Sequence, residues 1–210
     1  MTPRAEHAAD LLAQVLRPAG AKFGVELIAS LGALVTYAEA LLHWNRSVNL
    51  TGARNLEVLA SEHLADALAV APHLPRTGRW VDVGSGGGLP GMVLAILRRD
   101  LQAVLLEPLQ KRRLFLSSVV RELDLQNVSI VGDRLDKHLE RGGRGAYELA
   151  VSRAVFPLGE WLELGRALVR ADGGIVLGLE GSARRELPGD AERLPYDIGF
   201  GERAIIRIRV

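Results

Sequence analysis

Apolar positions fall into two regimes along this chain. Up to about residue 70 they recur at helical spacing; from residue 79 they gather into short branched runs separated by helix-like stretches. Residues 10–16 predict a short helix ended by Pro18 and Gly20. Residues 25–44 predict a longer one, with Leu27, Leu31, Leu34, Tyr37, Ala38, Leu41 and Leu42 on its apolar stripe. A third, capped by Asn55 or Thr51, reaches Val70. Pro72, Pro75 and Gly78 then mark a hinge, dividing the chain into a helical extension (residues 1–78) and a second domain (residues 79–210). In that domain strands are expected at 80–83, 103–106, 128–131, 147–151 and 173–179, with helices at 92–97, 111–123 and 158–168. The alternation predicts an α/β fold with a mostly parallel sheet. Residues 183–195 read as a polar, proline-bearing excursion, and 196–200 with 203–210 as a terminal hairpin that completes the sheet.

The densest chemical signal is residues 80–91, Trp-Val-Asp-Val-Gly-Ser-Gly-Gly-Gly-Leu-Pro-Gly. A buried strand ends in an acid, opens into a glycine loop and meets Pro90 where the next helix should start. Gly84, Gly86, Gly87 and Gly88 permit a close approach that side chains would forbid. Strand, loop and helix together predict a nucleotide-like cofactor site. A Walker loop is excluded, because no Gly-Lys-Ser/Thr follows. Residues 86–91 meet the dinucleotide spacing only loosely. Asp82 and Glu107, at the ends of successive apolar runs, fit the methyltransferase form better. There Glu107 would bond the ribose hydroxyls of S-adenosylmethionine. The alternative is a tight structural turn in some other α/β protein.

Other candidates share the same rim, since open α/β sheets bind ligands at the carboxyl ends of their strands. Asp133 follows the third strand, where an acid can accept from an adenine amino group, and Arg153 follows the fourth. His63 and Asp66 lie one helical turn apart, with Glu62 alongside. Such a pair is a surface pair, a core anchor or half a metal site, but no second histidine has ligand spacing, so no metal is expected. Residues 43–52 hold Asn49 and Thr51 beside Trp44; these polar groups either line a site or lock the loop through side-chain-to-backbone bonds. Lys111, Arg112 and Arg113 crowd a helix N-terminus against the usual preference for acids. They form either a phosphate site or a solvated basic face.

Composition adds limits. The 210 residues are 48% hydrophobic, with 26 basic against 25 acidic side chains, so any RNA-binding face must be local and offset by acids elsewhere. The absence of cysteine excludes disulfides, thiolate metal clusters and a cysteine nucleophile. The first residues lack the basic-then-apolar order of a signal peptide, and no apolar run approaches a membrane span. A cytoplasmic protein without membrane contact is expected.

Taken together, these pieces resemble the RsmG (GidB) family of bacterial 16S ribosomal RNA methyltransferases over nearly the whole chain. The matching segments are Trp44-Asn45 with Asn49-Leu50-Thr51, His63 with Asp66, and Asp82 through Gly91. Lys111-Arg112 with Phe115-Leu116, Ser152-Arg153-Ala154 and Gly201-Glu202-Arg203 complete them. The resemblance implies a class I S-adenosylmethionine-dependent fold, a mostly parallel seven-stranded sheet with flanking helices plus the N-terminal helical extension. It implies methyl transfer to N7 of a guanine in the 530 loop of 16S rRNA, with the small ribosomal subunit as partner and a monomer as the acting unit. Asp82, Gly84, Gly86, Gly88 and Leu89 would then hold the cofactor's methionine part and Glu107 its ribose. Asp133, Arg134 and Leu135 would neighbour the adenine. Arg153 and Arg203 would stand by the transferable methyl and the RNA as catalytic residues, Arg153 also touching the cofactor. Asn49, Thr51, His63, Asp66, Lys111 and Arg112 would belong to the RNA side.

The chain also departs from the pattern the resemblance implies. Glu62 stands where an arginine is expected, Ala67 where a serine is, Glu180 where a lysine is, and Arg209 replaces a lysine in the last strand. The acidic changes weaken attraction for phosphate unless nearby basic residues compensate. Two other readings stay open: a class I methyltransferase acting on another RNA or a small molecule, and a non-catalytic RNA- or ribosome-binding protein.

Overall fold

The computed structural model describes residues 3–199 and 201–210. Helix α1 (Pro3–Phe23) runs straight through Pro18, where the sequence predicts a stop. Leu12 and Leu16 ahead of the proline are fully buried, and this packing holds the helix where local preference alone would end it. The chain stops instead at Gly24, whose φ of +67° suits a helix terminus, with the Val25 amide donating to the Gly20 carbonyl at 2.8 Å. That turn also moves the start of α2 (Leu31–Val48) past the predicted position at residue 25. Next, α3 (Leu56–Val58) is capped by Asn55, whose side chain accepts from the Val58 amide; Thr51 has no part in this cap. A wider π-helical stretch, Leu59–Leu64, leads into α4 (Ala65–Leu68), and it carries His63. Such bulges rotate the side chains that follow them and are frequent at functional sites.

Beyond residue 78 come β1 (Arg79–Val83), α5 (Gly91–Leu97), β2 (Gln102–Leu106), α6 (Gln110–Glu122), β3 (Val128–Val131) and α7 (Leu135–His138). They are followed by β4 (Leu149–Ser152), α8 (Leu158–Arg166), β5 (Ile175–Glu180), β6 (Glu192–Asp197) and β7 (Glu202–Arg209). The sheet order is β3-β2-β1-β4-β5-β7-β6. The first five strands in that order are parallel, and β7 is antiparallel to both β5 and β6. Strand order reverses between β1 and β4, so the crevice for ligands opens above their carboxyl ends.

The hairpin differs from expectation in its extent. β6 begins at Glu192, inside the segment read as an excursion, because a proline is tolerated in an edge strand and Pro195 pairs opposite Ala204 there. Phe200, expected at the hairpin's first strand end, lies outside the described residues, as do Met1 and Thr2 of the N-terminal stretch. Tyr147 lies ahead of β4 and makes only a single bridge to Val169.

The central parallel strands β1, β2, β4 and β5 are covered on both faces, which explains their largely apolar character, while β3 lies at the sheet edge and is partly exposed. On one face Leu12, Leu16, Leu34, Leu41, Leu59 and Leu64 of the helical segment join Met92, Val93, Phe115 and Leu116 in one apolar cluster. On the other, Val81, Val83, Val104 and Leu106 meet Trp161, Leu162 and Ile206. Among the described residues no helix is long and apolar enough to cross a membrane. One tight joint is where α5 meets β1. A Cβ on Gly91 would sit 2.3 Å from Asp82 Oδ2 and 2.6 Å from Leu105 Cδ2, and the Gly91 amide donates to that same carboxylate oxygen. Gly91→Ala is expected to lower the unfolding free energy by about 2 kcal/mol, as overpacking typically does, measured by urea denaturation.

Candidate functional site

The glycine loop is built from below by β1 and β2. The amides of Gly84 and Ser85 both donate to the Leu106 carbonyl, at 2.7 and 3.2 Å, and Ser85 Oγ donates back to the Asp82 carbonyl. Gly84, Gly86 and Gly88 have φ of +73°, +57° and +86°, values a side chain would resist. The helical segment presses on the loop from outside. The buried Tyr37 hydroxyl donates to the Gly87 carbonyl at 2.7 Å, and Leu50 and Leu41 pack where a Gly87 Cβ would be. Glu107 closes the loop: its buried carboxylate accepts from the Gly86 and Leu109 amides, each at 2.8 Å, with Arg112 Nη1 3.9 Å away. Asp82 lies under the loop. Its Oδ2 accepts from the Gly91 amide, but its buried Oδ1 has no partner. Burial above all pushes its pKa up to about 7, against the partial opposition of the Gly91 amide.

Beside the loop is a cavity of about 490 Å³, walled largely by apolar groups that include Val83, Leu106, Pro108, Leu135, Val155 and Phe156. Gly84, Asp133 and Arg134 also line it, and Asp133 is ion-paired with Arg141 at 2.7 Å. Val155 and Phe156 are shared with a second cavity, of about 700 Å³, which extends over β4 and β5. His63, Asp66, Ser152, Arg153, Glu180, Arg185 and Arg203 are its polar lining. The Ser152 hydroxyl donates to the Val83 carbonyl at 2.8 Å and fixes the end of β4 to that of β1. Two residues on, Ala154 has φ +58°, a strained value for a residue with a side chain.

Asp66 is the centre of the second cavity. Its carboxylate is 3% exposed and lies 3.3 Å from Arg153 Nη1 and 3.1 Å from Arg203 Nη1. Arg203 also reaches the Glu62 carbonyl, at 3.4 Å. Arg153 Nη1 is 3.3 Å from His63 Nδ1 as well. A guanidinium carries no acceptor, so Nδ1 accepts and the neutral ring's proton sits on Nε2. Burial, then the Arg153 charge, lowers the His63 pKa below its ordinary value. On the far wall Glu180 is equally buried and takes Arg193 through both oxygens, at 2.8 and 3.2 Å, together with the Arg185 amide at 2.9 Å. Burial alone would raise its pKa; those donors hold it below the carboxylate norm.

The sequence-predicted residues therefore divide. Asp82, Gly84, Gly86, Gly88 and Glu107 gather around the loop, and Leu89 is buried beneath it at the head of α5. Asp133, Arg134 and Leu135 line the first cavity, while His63, Asp66, Arg153 and Arg203 meet in the second. Asn49 and Thr51 do not line either cavity. Asn49 ends α2 in the left-handed region (φ +53°), and Thr51 is held in a turn by Asn45, whose side chain bonds the backbone at Leu50, Thr51 and Ala53. The basic trio splits too: Lys111 is exposed, Arg112 leans toward Glu107, and Arg113 donates to the carbonyls of Glu107 and Pro108. Sequence reasoning missed Tyr37, Phe156, Arg193 and Tyr196, which occupy ordinary helix, loop and strand positions and carry no motif.

The sheet order and the position of the loop define the class I methyltransferase architecture. A methyltransferase from Geobacter sulfurreducens has the same fold, with a TM-score of 0.57 at 15% identity over 82% of this chain and 88% of that one. A SAM dependent methyltransferase from Aquifex aeolicus gives 0.53 at 12% identity over 72% and 93%. Residues 30–194 match the family model for rRNA small subunit methyltransferase G. The chain is 42% identical over 140 residues to the ribosomal RNA small subunit methyltransferase G of Chromobacterium violaceum, covering 67% of this chain and 66% of that protein. It is 42% identical over 148 residues to the protein of that name from Anaeromyxobacter dehalogenans, covering 70% and 68%. The chain belongs to the rRNA small subunit methyltransferase G family.

Asp82 gives a test of the loop's electrostatics. Its pKa is raised on folding from 3.8 to about 7, so the folded state holds a proton that the unfolded chain has released. The associated stability is complete below about pH 4 and is lost as pH rises through about 7. Asp82→Asn, which does not titrate, is expected to flatten that part of the stability–pH curve, read from urea midpoints between pH 4 and 8.

Proposed function

We propose that this protein transfers a methyl group from S-adenosylmethionine to N7 of a guanine in the 530 loop of 16S rRNA, with the small ribosomal subunit as its partner. The observation that carries the reading is that a glycine-loop cavity and an arginine-lined cavity adjoin across one wall, Val155 and Phe156. The residues present suit the cofactor. The first cavity offers apolar faces at Leu106, Leu135 and Phe156 for an adenine and a loop free of side chains at Gly84, with the buried carboxyls of Glu107 and Asp82 behind that loop. The unpartnered Asp82 Oδ1 is an acceptor in want of a donor. Gly84, Gly86, Gly88 and Leu89 would hold the methionine part, Glu107 the ribose, and Asp133, Arg134 and Leu135 the adenine. When bound, S-adenosylmethionine supplies an electrophilic methyl on a sulfonium leaving group.

The rest of the work belongs to the chain. N7 of a neutral guanine carries its lone pair in the ring plane, so no proton has to be removed before it attacks and no general base is required. This agrees with a second cavity whose acids, Asp66 and Glu180, are both committed to guanidinium groups. Arg153 and Arg203 would orient the base by donating to O6 or to flanking phosphates, for which a planar guanidinium is well shaped. Neutral His63 adds an Nε2–H donor to the same wall. Lys111 and Arg112, on the outer side of the loop, would meet the RNA backbone with Asn49 and Thr51 nearby. In this reading residues 1–78 are the helical extension, residues 79–210 the cofactor-binding domain, and a monomer acts in the cytoplasm, where small subunits are found.

The test is incubation with methyl-labelled S-adenosylmethionine and small subunits that lack the modification, followed by mapping of the label. Label at N7 of the 530-loop guanine is expected, with Arg153→Ala reducing the rate on the order of 100-fold through lost orientation. Absence of label while the cofactor is bound, shown by calorimetry, would reject the ribosomal target.

A further inference from the structure

We propose that Tyr196 is a positioning residue whose hydroxyl fixes the Asp66 carboxylate and, through it, the two guanidinium groups of the second cavity. The inference rests on the reading of Arg153 and Arg203 given above and extends it to a residue that touches neither cofactor nor RNA. Tyr196 on β6 is the direct cross-strand partner of Arg203 on β7, so the two side chains project from the same face of the hairpin. Asp66, arriving from α4, sits where both can reach it: the Tyr196 hydroxyl donates to Oδ1, which is also the oxygen nearest Arg203. Arg153, from the end of β4, takes Oδ2.

Each arginine meets Asp66 through a single nitrogen, so neither forms the two-point fork that would by itself fix a carboxylate plane. A third donor removes the remaining freedom of rotation. The phenol is kept protonated, as that role demands, since burial and the adjacent Asp66 charge both raise its pKa above the ordinary value. Its ring stands edge-on to Phe23 of α1 at 5.9 Å, a contact that does not involve the hydroxyl. Tyr196→Phe thus deletes the donor and leaves the packing in place. Without it, Oδ1 keeps only its ion pair with Arg203, the carboxylate is free to rotate, and the distance from Oδ2 to Arg153 is no longer set.

The experiment compares wild type and Tyr196→Phe in methyl transfer to small subunits, with Arg153→Ala and Arg203→Ala run in parallel. Tyr196→Phe is expected to lower kcat about tenfold with KM within about twofold, the pattern of lost transition-state orientation rather than lost binding. It should remain folded, with a melting temperature lowered by only a few degrees, roughly the cost of one donor lost from a buried carboxylate. A readout independent of turnover is the set of guanidinium N–H resonances of Arg153 and Arg203, assigned by the two alanine variants. They should be resolved and slow to exchange in wild type, and broadened in Tyr196→Phe. A wild-type kcat in Tyr196→Phe, or unchanged guanidinium resonances, overturns the proposal. Full activity in the two alanine variants instead overturns the catalytic reading of the arginines, and the resonances then still decide whether Tyr196 positions them.

Discussion

A carboxylate taken out of water must be met by donors, and this fold meets that requirement four times along one rim. Asp66, Asp82, Glu107 and Glu180 are each no more than 4% exposed. All four lie at or above the carboxyl ends of the strands. Removing such a charge from water costs several kcal/mol, so each has to be held by its surroundings, and the surroundings are thereby fixed in turn. Glu107 is held by backbone amides, Asp66 by two arginines and a phenol, Glu180 by one arginine and an amide. Asp82 has one amide and an empty oxygen, and burial drives its pKa up. Donor supply separates it from Glu180, whose arginine and amide outweigh the same cost of burial.

The consequence for the two cavities is a division of charge. Around the loop the carboxylates are spoken for: Glu107 is taken by backbone amides and Asp133 by Arg141. In the second cavity Asp66 offsets only one of its two arginines, and Glu180 is matched by Arg193, with Arg185 beyond it. The cavity therefore keeps positive character although two acids line it, and a protein whose charges nearly balance overall still presents a local face for a polyanion. His63 belongs to this balance. Its Nδ1 accepts from Arg153 only while the ring is neutral, so protonation would set two cations against each other at 3.3 Å.

Much of this was legible in the sequence, and the limits follow from physics. The strand–loop–helix at residues 79–97 is local, since glycines, a terminal acid and a proline act within a few residues, and it stood where expected apart from a start of α5 at Gly91. The fourth and fifth strands were visible because buried parallel strands announce themselves as apolar runs, and the third because its branched residues recur at the sheet edge. Pro18 misled because burial of Leu12 and Leu16 outweighs one lost amide bond, a balance that no local rule contains. Pro195 misled in the opposite sense, because only the sheet's edge, a property of the whole topology, makes it acceptable in β6. Pairings across long separations were hidden altogether. Asp66 meets Arg153, Tyr196 and Arg203 only after the hairpin has folded back onto α4, and nothing in the spacing of those residues signals it.

Glu180 shows how an apparent loss can be a rearrangement. Where the resemblance to relatives leads one to expect a lysine, an acid seems to subtract attraction for RNA. Had Glu180 pointed into the cavity unpartnered, it would have repelled phosphate and demanded protonation. It instead draws in Arg193 from the edge strand β6, beyond β7, and ties down the Arg185 amide. The guanidinium is partly exposed where the carboxylate is not. The solvent-facing member of the pair is therefore the cation, and the acid serves as its buried anchor. A planar guanidinium gripped through both carboxylate oxygens is held in one orientation from behind, an order that a lone cation on a flexible stem does not have.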